Sequence, residues 1–160
     1  MDLEPGVSKA GRSGAAAAVK SPLGGIHVLV VEDSPAKQQA LSSMLRRRGA
    51  EILIAANGRL GVEALTEDRT IVGRLQEPPP VDFILMDMQM PEMDGYTATS
   101  LLREKGCQLP ILAVTAHAMT GDRELCLRAG CDEYLAKPVV AADLERMILQ
   151  LMERSATEAT

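Results

Sequence analysis

Five polar side chains stand where short apolar runs of the sequence end. Three are carboxylates, one is a hydroxyl and one is an ammonium: Glu32, Asp33, Asp87, Thr115 and Lys137. They come from four separate places in the chain, and each of the runs before them is short enough to be a strand. Because the carboxyl ends of parallel strands meet at one edge of a sheet, we expect these side chains to converge there.

Phosphoryl transfer is the chemistry that this set favours. Three clustered carboxylates repel one another, and a hard divalent cation such as Mg²⁺ relieves that repulsion while it binds phosphate oxygens. An ammonium and a hydroxyl can hold further oxygens of the same phosphoryl group. A carboxylate is also a nucleophile toward phosphorus and forms an aspartyl phosphate. Asp87 is the central carboxylate, so we predict that it is the acceptor and that Thr115 and Lys137 assist it. Asp33 is the stronger candidate for a metal ligand.

Short apolar runs alternate with longer amphipathic segments along the chain. This alternation predicts an α/β fold: a doubly wound parallel sheet of five strands with five helices. The predicted strands are Ile26 to Val31, Glu51 to Ala55, Val81 to Met86, Pro110 to Val114 and Glu133 to Ala136. The predicted helices lie between Ser34 and Gly49, from Asn57 through Leu65, from Gly95 to Lys105, from Thr120 to Ala129 and from Val140 to Met152.

Local signals mark some of these boundaries more sharply than others. Ser34 is a good N-cap and Pro35 suits the first helical position, while Gly49 is expected to stop the same helix. The end of the second helix is obscured by the stretch from Thr66 to Pro80. Its three closing prolines predict a stiff, extended spacer.

The two ends of the chain differ in composition from its middle. Residues 1–25 are rich in Gly, Ala, Ser and Pro and are expected to form a flexible tail or linker, followed by one domain at 26–153 and a C-terminal tail at 154–160. No stretch approaches the ~20 apolar residues of a bilayer-spanning helix or the apolar core of a signal peptide. We therefore expect a cytoplasmic protein without direct membrane contact.

Composition and charge exclude further classes. The net charge of −5 argues against nucleic acid as a partner, because phosphate contacts need a basic footprint. The three cysteines have no CxxC spacing, which favours free thiols over a disulfide framework or a zinc site. Only 2% of the residues are aromatic, so no aromatic cofactor cage is expected.

Four motifs give the sequence a family resemblance: VVEDS around Asp33, MDMQMPEMDGY around Asp87, AVTAHA around Thr115 and DEYLAKP around Lys137. From about Ile26 to Met152 the chain resembles the receiver domain of two-component response regulators. The resemblance implies a flavodoxin-like strand order 2-1-3-4-5 and phosphorylation of Asp87 in the presence of Mg²⁺.

Further site roles follow from the resemblance alone. It implies that the backbone carbonyl of Gln89 completes the metal shell, that Glu32 acts through water and that the Lys137–Pro138 peptide is cis. It also implies a switch in which Thr115 moves toward the phosphoryl group and Tyr134 turns inward. The partner surface is then the face formed by the fourth helix, the fifth strand and the fifth helix.

The partners implied are a histidine kinase or a histidine phosphotransfer domain, with a phosphorylation-dependent dimer as a further state. The residues within the motifs and the Gly/Ala-rich first 25 residues favour the receiver of a hybrid sensor histidine kinase over a stand-alone regulator. Lys37 departs from the pattern, since such receivers often carry Asn there. No free-standing turnover enzyme is expected beyond self-catalysed phosphorylation and dephosphorylation, although the parent chain would be a kinase in the hybrid setting.

Simpler roles exist for each residue alone. Asp87 could cap a strand end, Glu32 and Asp33 could flank a turn, and Thr115 and Lys137 could be an ordinary strand-end residue and a surface lysine. An aspartate-nucleophile phosphohydrolase is a second candidate, but the position for its general acid holds Gln89. A binding module that no longer accepts phosphate is a third. His117 is placed to influence access of hydrolytic water.

Overall fold

The computed structural model describes residues 21–116 and 121–159, and His117 lies outside them. The strands are β1 (His27–Val31), β2 (Glu51–Ala55), β3 (Phe83–Asp87), β4 (Ile111–Thr115) and β5 (Glu133–Ala136). The helices are α1 (Pro35–Arg46), α2 (Gly58–Ala64), α3 (Gly95–Glu104), α4 (Asp122–Ala129) and α5 (Ala141–Ala159). Within these residues, no helix combines the length and apolar character that a bilayer crossing requires. The predicted alternation of strands and helices is confirmed.

All five strands are parallel and lie in the order β2-β1-β3-β4-β5, which confirms the implied sheet order. The register pairs Val31 with Met86 and Asp87 with Val114. The carboxyl ends of β1, β3 and β4 therefore reach the same edge of the sheet. The chain reverses its direction of travel across the sheet between β1 and β3, and this is where open α/β sheets place their ligands.

Helices cover both faces of the sheet, and β1 shows how the sequence achieves this. Leu29 and Val31 point into a core layer shared with α2, α3 and α4. Val28 and Val30 point into the opposite layer, shared with α1 and α5. A strand buried on both faces reads as a continuous apolar run rather than as an alternating one, as the sequence showed.

Side-chain N-caps begin three of the helices. The oxygens of Ser34, Asn57 and Asp94 accept the backbone N–H three residues later, at 3.4, 2.8 and 2.8 Å. Each bond satisfies an N–H that the first helical turn leaves unpaired. The predicted cap at Ser34 and helix start near Asn57 are confirmed, and Gly49 has the φ of 98° that suits a stop after α1.

The stretch from Thr66 to Pro80 is a folded loop, so the prediction of an extended spacer was wrong. Thr66 pairs with Leu75 in an isolated antiparallel bridge. The Lys105 ammonium donates to the carbonyl of Gly73 at 2.6 Å and ties the loop to the end of α3. These partners are distant in sequence, so local composition did not reveal the fold of the loop.

Folded structure extends beyond the predicted bounds at both ends of the domain. Leu23 is fully buried and donates its N–H to the carbonyl of Arg48 at 2.8 Å, so packed structure begins before residue 25. Helix α5 continues to Ala159, through most of the predicted tail at 154–160. The apolar periodicity stops at Met152, but Glu153 to Ala159 contains no helix breaker and can continue the helix without burial.

Candidate active site

Asp87 is the last residue of β3. The sequence predicted that the strand would end at Met86, with Asp87 directly after it. Asp87 is 3% exposed, and its Oδ1 accepts the backbone N–H of Gln89 at 3.2 Å. The loop that follows passes so close to the strand that a Cβ on Gly95 would collide with the Asp87 carbonyl. Glycine at this position therefore lets α3 begin beside the carboxylate.

Lys137 reaches the same carboxylate from the other side. Its backbone N–H donates to the carbonyl of Thr115 at 2.8 Å, and the Lys137–Pro138 peptide is cis, as the resemblance implied. The Nζ lies 3.1 Å from Asp87 Oδ1 and 3.7 Å from Glu32 Oε1. Burial alone would lower the pKa of Lys137, but the hydrogen bond and charge of Asp87 and the charge of Glu32 outweigh burial and raise it.

Glu32 is buried to 1% exposure, which is rare for a carboxylate. Its Oε2 accepts the N–H of Ser34 at 3.0 Å, while its Oε1 is buried without a hydrogen-bond partner. Burial raises the pKa of Glu32, the Ser34 N–H opposes that rise, and the charge of Asp87 adds to it. Glu32 is thus held in place through one oxygen, and the other oxygen faces Lys137.

Asp33 completes a group of three carboxylates. It is exposed, unlike Glu32 and Asp87, and one oxygen from each of the three lies within 4.8 Å of the others. The Lys137 ammonium lies against two of these carboxylates, Glu32 and Asp87, so the three carry more negative charge than this lysine balances. A hard divalent cation fits this donor set, and the buried Oε1 of Glu32, which accepts no hydrogen bond and lies 3.7 Å from the Lys137 ammonium, is a further sign that positive charge is lacking.

Thr115 is the last residue of β4 and is fully buried beside the site. It pairs in register with Ala136, the residue before Lys137. Tyr134 lies two positions earlier on β5, pairs with Ala113 and is partly buried. The structure brings together all five polar residues that the sequence placed at strand ends.

A groove beside Lys137 is a feature that the sequence did not reveal. Its volume is about 380 Å³, and it is lined by Glu32, Lys37, Ala40, Leu41, Met44, Val114, Ala116, Lys137, Pro138 and Val139. It lies between α1 and the loop after β5, and both charged and apolar side chains line it. Ala40 and Met44, four residues apart on α1, were the available signal, but they read equally well as core positions.

The family of the chain follows from its match to known domains. Residues 28–149 match the family model described as the response regulator receiver domain. The chain belongs to this receiver domain family. The match spans the five strands except for His27, the first residue of β1, and it includes all five polar site residues.

The receiver resembles the receivers of several histidine kinases. It is 37% identical over 164 residues to histidine kinase 1 of Arabidopsis thaliana, covering 86% of this chain and 14% of the kinase. It is 34% identical over 128 residues to the sensor histidine kinase GacS of Pseudomonas protegens, covering 77% of this chain and 13% of that kinase. The chain therefore spans about one seventh of these relatives.

Solved structures agree with the fold. The receiver domain of a sensor histidine kinase from Pseudomonas aeruginosa is 40% identical, with a TM-score of 0.65 over 81% of this chain and 98% of that domain. That domain was crystallised with a magnesium ion coordinated in its active site cleft. A CheY-like receiver from Methanospirillum hungatei, at 23% identity and a TM-score of 0.70 over 83% of this chain and 98% of that chain, shows the same fold.

Proposed function

We propose that Asp87 accepts a phosphoryl group from a phosphohistidine on a partner protein. The observation that carries the proposal is the position of the Asp87 carboxylate, which is buried at the strand end with the Lys137 ammonium 3.1 Å from one of its oxygens. The receiver family and its phosphorelay role are shared with the kinases above. The assignment of each residue rests on the geometry of this site.

The transfer forms a bond between an Asp87 oxygen and phosphorus while the P–N bond of the phosphohistidine breaks. Lys137 neutralises charge on one phosphoryl oxygen, and the Thr115 hydroxyl hydrogen-bonds another. Gln89 holds the Asp87 carboxylate through its backbone N–H and cannot serve as the general acid of a phosphohydrolase. The same site thus favours stoichiometric phosphorylation over turnover of phosphate esters.

Mg²⁺ is the cofactor that the donor set supports. Asp33 and Asp87 would bind it directly, with the Gln89 carbonyl, and Glu32 would act through a water molecule. Bound Mg²⁺ would supply positive charge that stabilises the carboxylates and the incoming phosphoryl group. The exposed position of Asp33 leaves that side of the site open to solvent and to the donor.

The groove between α1 and the loop after β5 is suited to the phosphoryl donor. A histidine side chain must approach Asp87 closely, and this groove opens beside Lys137 with an apolar floor. Partner helices with apolar faces, such as those of a histidine kinase or a histidine phosphotransfer domain, fit such a surface.

Output would use the face of α4, β5 and α5. Leu125, Val140 and Leu149 are exposed apolar residues on or beside these elements. A phosphoryl group on Asp87 would draw Thr115 toward it and let Tyr134 turn inward, which changes this face and supports a phosphorylation-dependent dimer.

The cellular setting that we propose is the cytoplasmic receiver of a hybrid sensor histidine kinase. The named relatives support this setting, as do the three cysteines, which are all free and buried. A stand-alone regulator would carry the same site, so the setting does not alter the chemistry at Asp87.

The test is intact mass after incubation with Mg²⁺ and acetyl phosphate. The wild type should gain one phosphoryl group that is lost in base, and Asp87→Asn should gain none. Asp143→Asn is the matched control, because Asp143 is an exposed aspartate on α5 whose carboxylate pairs with Arg146 at 3.2 Å. Equal labelling of Asp87→Asn and wild type would refute the assignment, and catalytic release of phosphate would favour the hydrolase.

A further inference from the structure

Strand β2 is one outer edge of the sheet, and half of its backbone groups face away from β1. The Glu51 N–H donates to the carbonyl of Ile26, and the Ala55 carbonyl accepts from the Glu32 N–H. The backbone N–H and C=O groups of Glu51, Leu53 and Ala55 therefore point toward β1. In a parallel ladder the intervening residues, Ile52 and Ile54, direct their N–H and C=O groups to the free side. Among residues 21–116 and 121–159, no strand pairs with that side.

The side chains of β2 are as unusual as its open backbone. Leu53 is 40% exposed and Ile54 is 41% exposed, although they lie on opposite faces of the sheet. The strand contains no proline, lysine or bulge, which are the devices that usually keep a free edge from pairing. Its one charge is Glu51 at its start.

The other edge, β5, is protected in ways that β2 is not. It has four residues, none fully exposed, and its first residue Glu133 receives two bonds of 3.0 Å from the Arg123 guanidinium. Free pairing capacity and exposed apolar side chains therefore coincide at β2 alone among the strands described.

We propose that β2 is a self-association edge, on which two copies of the chain pair antiparallel about a twofold axis at Leu53. The sequence of the strand is symmetric about that residue: Ile52 and Ile54 flank Leu53. Ile52 of one copy then lies opposite Ile54 of the other, and these two residues carry the outward N–H and C=O groups. Two such pairs exchange four hydrogen bonds and join two five-stranded sheets into one.

The central pair in this arrangement is Leu53 against its own copy. Because Leu53 directs its backbone toward β1, this is a non-hydrogen-bonded pair, in which the Cα atoms approach to about 4.5 Å and the side chains meet most closely. Each exposed leucine thereby covers the other. On the opposite face, the exposed Ile54 of each copy packs on Ile52 of its partner.

Charge also favours a second copy as the occupant. Glu51 of one copy lies opposite the small, uncharged Ala55 of the other. The two Glu51 carboxylates are four residues apart along the joined edge, or about 14 Å, so they do not repel strongly. The contact is small, so we expect a weak, concentration-dependent dimer rather than a permanent one. It needs no phosphoryl group, since β2 supplies none of the site residues.

Sedimentation across a concentration series tests the proposal. The weight-average mass of the wild type should rise toward twice the monomer mass, and Leu53→Lys should stay monomeric because two lysines would face each other. Val72→Lys is the matched control, since Val72 in the loop from Thr66 to Pro80 is 85% exposed and belongs to neither β2 nor the α4–β5–α5 face, and it should associate like the wild type. Asp87→Asn should also associate, which separates this edge from the phosphorylation-dependent face.

A cysteine at the centre gives a second test that does not depend on the tolerance of lysine. Opposed Cα atoms about 4.5 Å apart are within disulfide range, and the native cysteines are buried. Leu53→Cys should form a disulfide dimer under mild oxidation, and Val72→Cys should not. A wild type that stays monomeric, or a dimer that survives in Leu53→Lys, would overturn the proposal. A monomeric wild type would mean that the β2 edge is available to a strand of another polypeptide. A dimer that survives in Leu53→Lys would mean that the copies associate through another surface.

Discussion

The two ends of the parallel sheet each hold a cation between elements, but they balance it differently. At the amino ends of β4 and β5, Arg103 donates to the carbonyls of Gly130, Cys107 and Leu109 at 2.8–2.9 Å and to Asp132 at 3.0 Å. Its guanidinium thus meets one carboxylate and three carbonyl dipoles. At the carboxyl ends, Lys137 meets two carboxylates directly, and a third lies beside them.

The difference separates a structural cluster from a functional one. Asp132 also accepts the Ile111 N–H at 2.8 Å, so the Arg103 cluster uses its polar atoms to hold two loops in place. The Lys137 cluster leaves a buried Glu32 oxygen without a hydrogen bond. A site that lacks positive charge is unfavourable when empty, and we propose for that reason that it takes up a divalent cation.

The largest expected effect is on the rate of phosphorylation, and it is tested by a Lys→Gln substitution at each end of the sheet. Lys137→Gln should slow phosphorylation of Asp87 by about 100-fold or more, because it removes a preorganised charge from the phosphoryl oxygens. Lys105→Gln at the amino-terminal end should leave the rate unchanged. The measurement is the initial rate of mass gain with acetyl phosphate. A Lys137→Gln rate within threefold of wild type would contradict the role assigned to this lysine.

Arg103→Ala should lower the stability of the protein without preventing phosphorylation of Asp87. It removes the charged partner of Asp132 and the donor to three carbonyls, so we expect the free energy of unfolding to fall by about 2–3 kcal/mol, below the value for a fully buried pair since Arg103 is 24% exposed. Urea unfolding measures this loss. Arg123→Ala is the control and should cost much less, because its ion pair with Glu133 is more exposed. The folded Arg103→Ala protein should still label at Asp87, and loss of labelling without loss of stability would reverse our reading of the two ends.

Mg²⁺ should stabilise only through the carboxyl-terminal cluster. At a free Mg²⁺ concentration ten times the dissociation constant, binding should add about 1.4 kcal/mol to the free energy of unfolding. Thermal unfolding with and without EDTA measures the shift, which should shrink in Asp33→Asn and persist in Asp143→Asn. An equal Mg²⁺ shift in wild type and Asp33→Asn would remove Asp33 from the metal site.

The smallest effect concerns acid stability at the amino end of β5. The hydrogen bonds from Arg123 lower the pKa of Glu133 below its ordinary value of 4.5. A lowered carboxyl pKa gives stability that is fully present above pH 4.5 and is lost as pH falls through the folded-state value. Wild type should therefore melt above Arg123→Gln at pH 7, and the two melting temperatures should converge in acid. A difference that grows on acidification would contradict this pairing.

Much of the fold was predictable because its signals are local. The N-caps at Ser34 and Asn57, the apolar runs and the glycine stop at Gly49 act within a few residues, and the structure confirms each. The five polar side chains at strand ends could be placed together because parallel strands must end at one edge. The bounds of α5 were wrong because apolar periodicity measures burial, not helix length.

The sequence by itself determined the order of the elements and the identity of the residues at the carboxyl edge, since cap chemistry, periodicity and strand polarity are properties of short segments. Only the tertiary structure decided how the charges are balanced: that Lys137 meets both Asp87 and Glu32, that Arg103 is shared among two loops, and that Thr66 to Pro80 folds back onto α3. It also showed that Leu53 and Ile54 remain exposed on a free edge. Those outcomes depend on distances between atoms far apart in the chain, which no local pattern encodes.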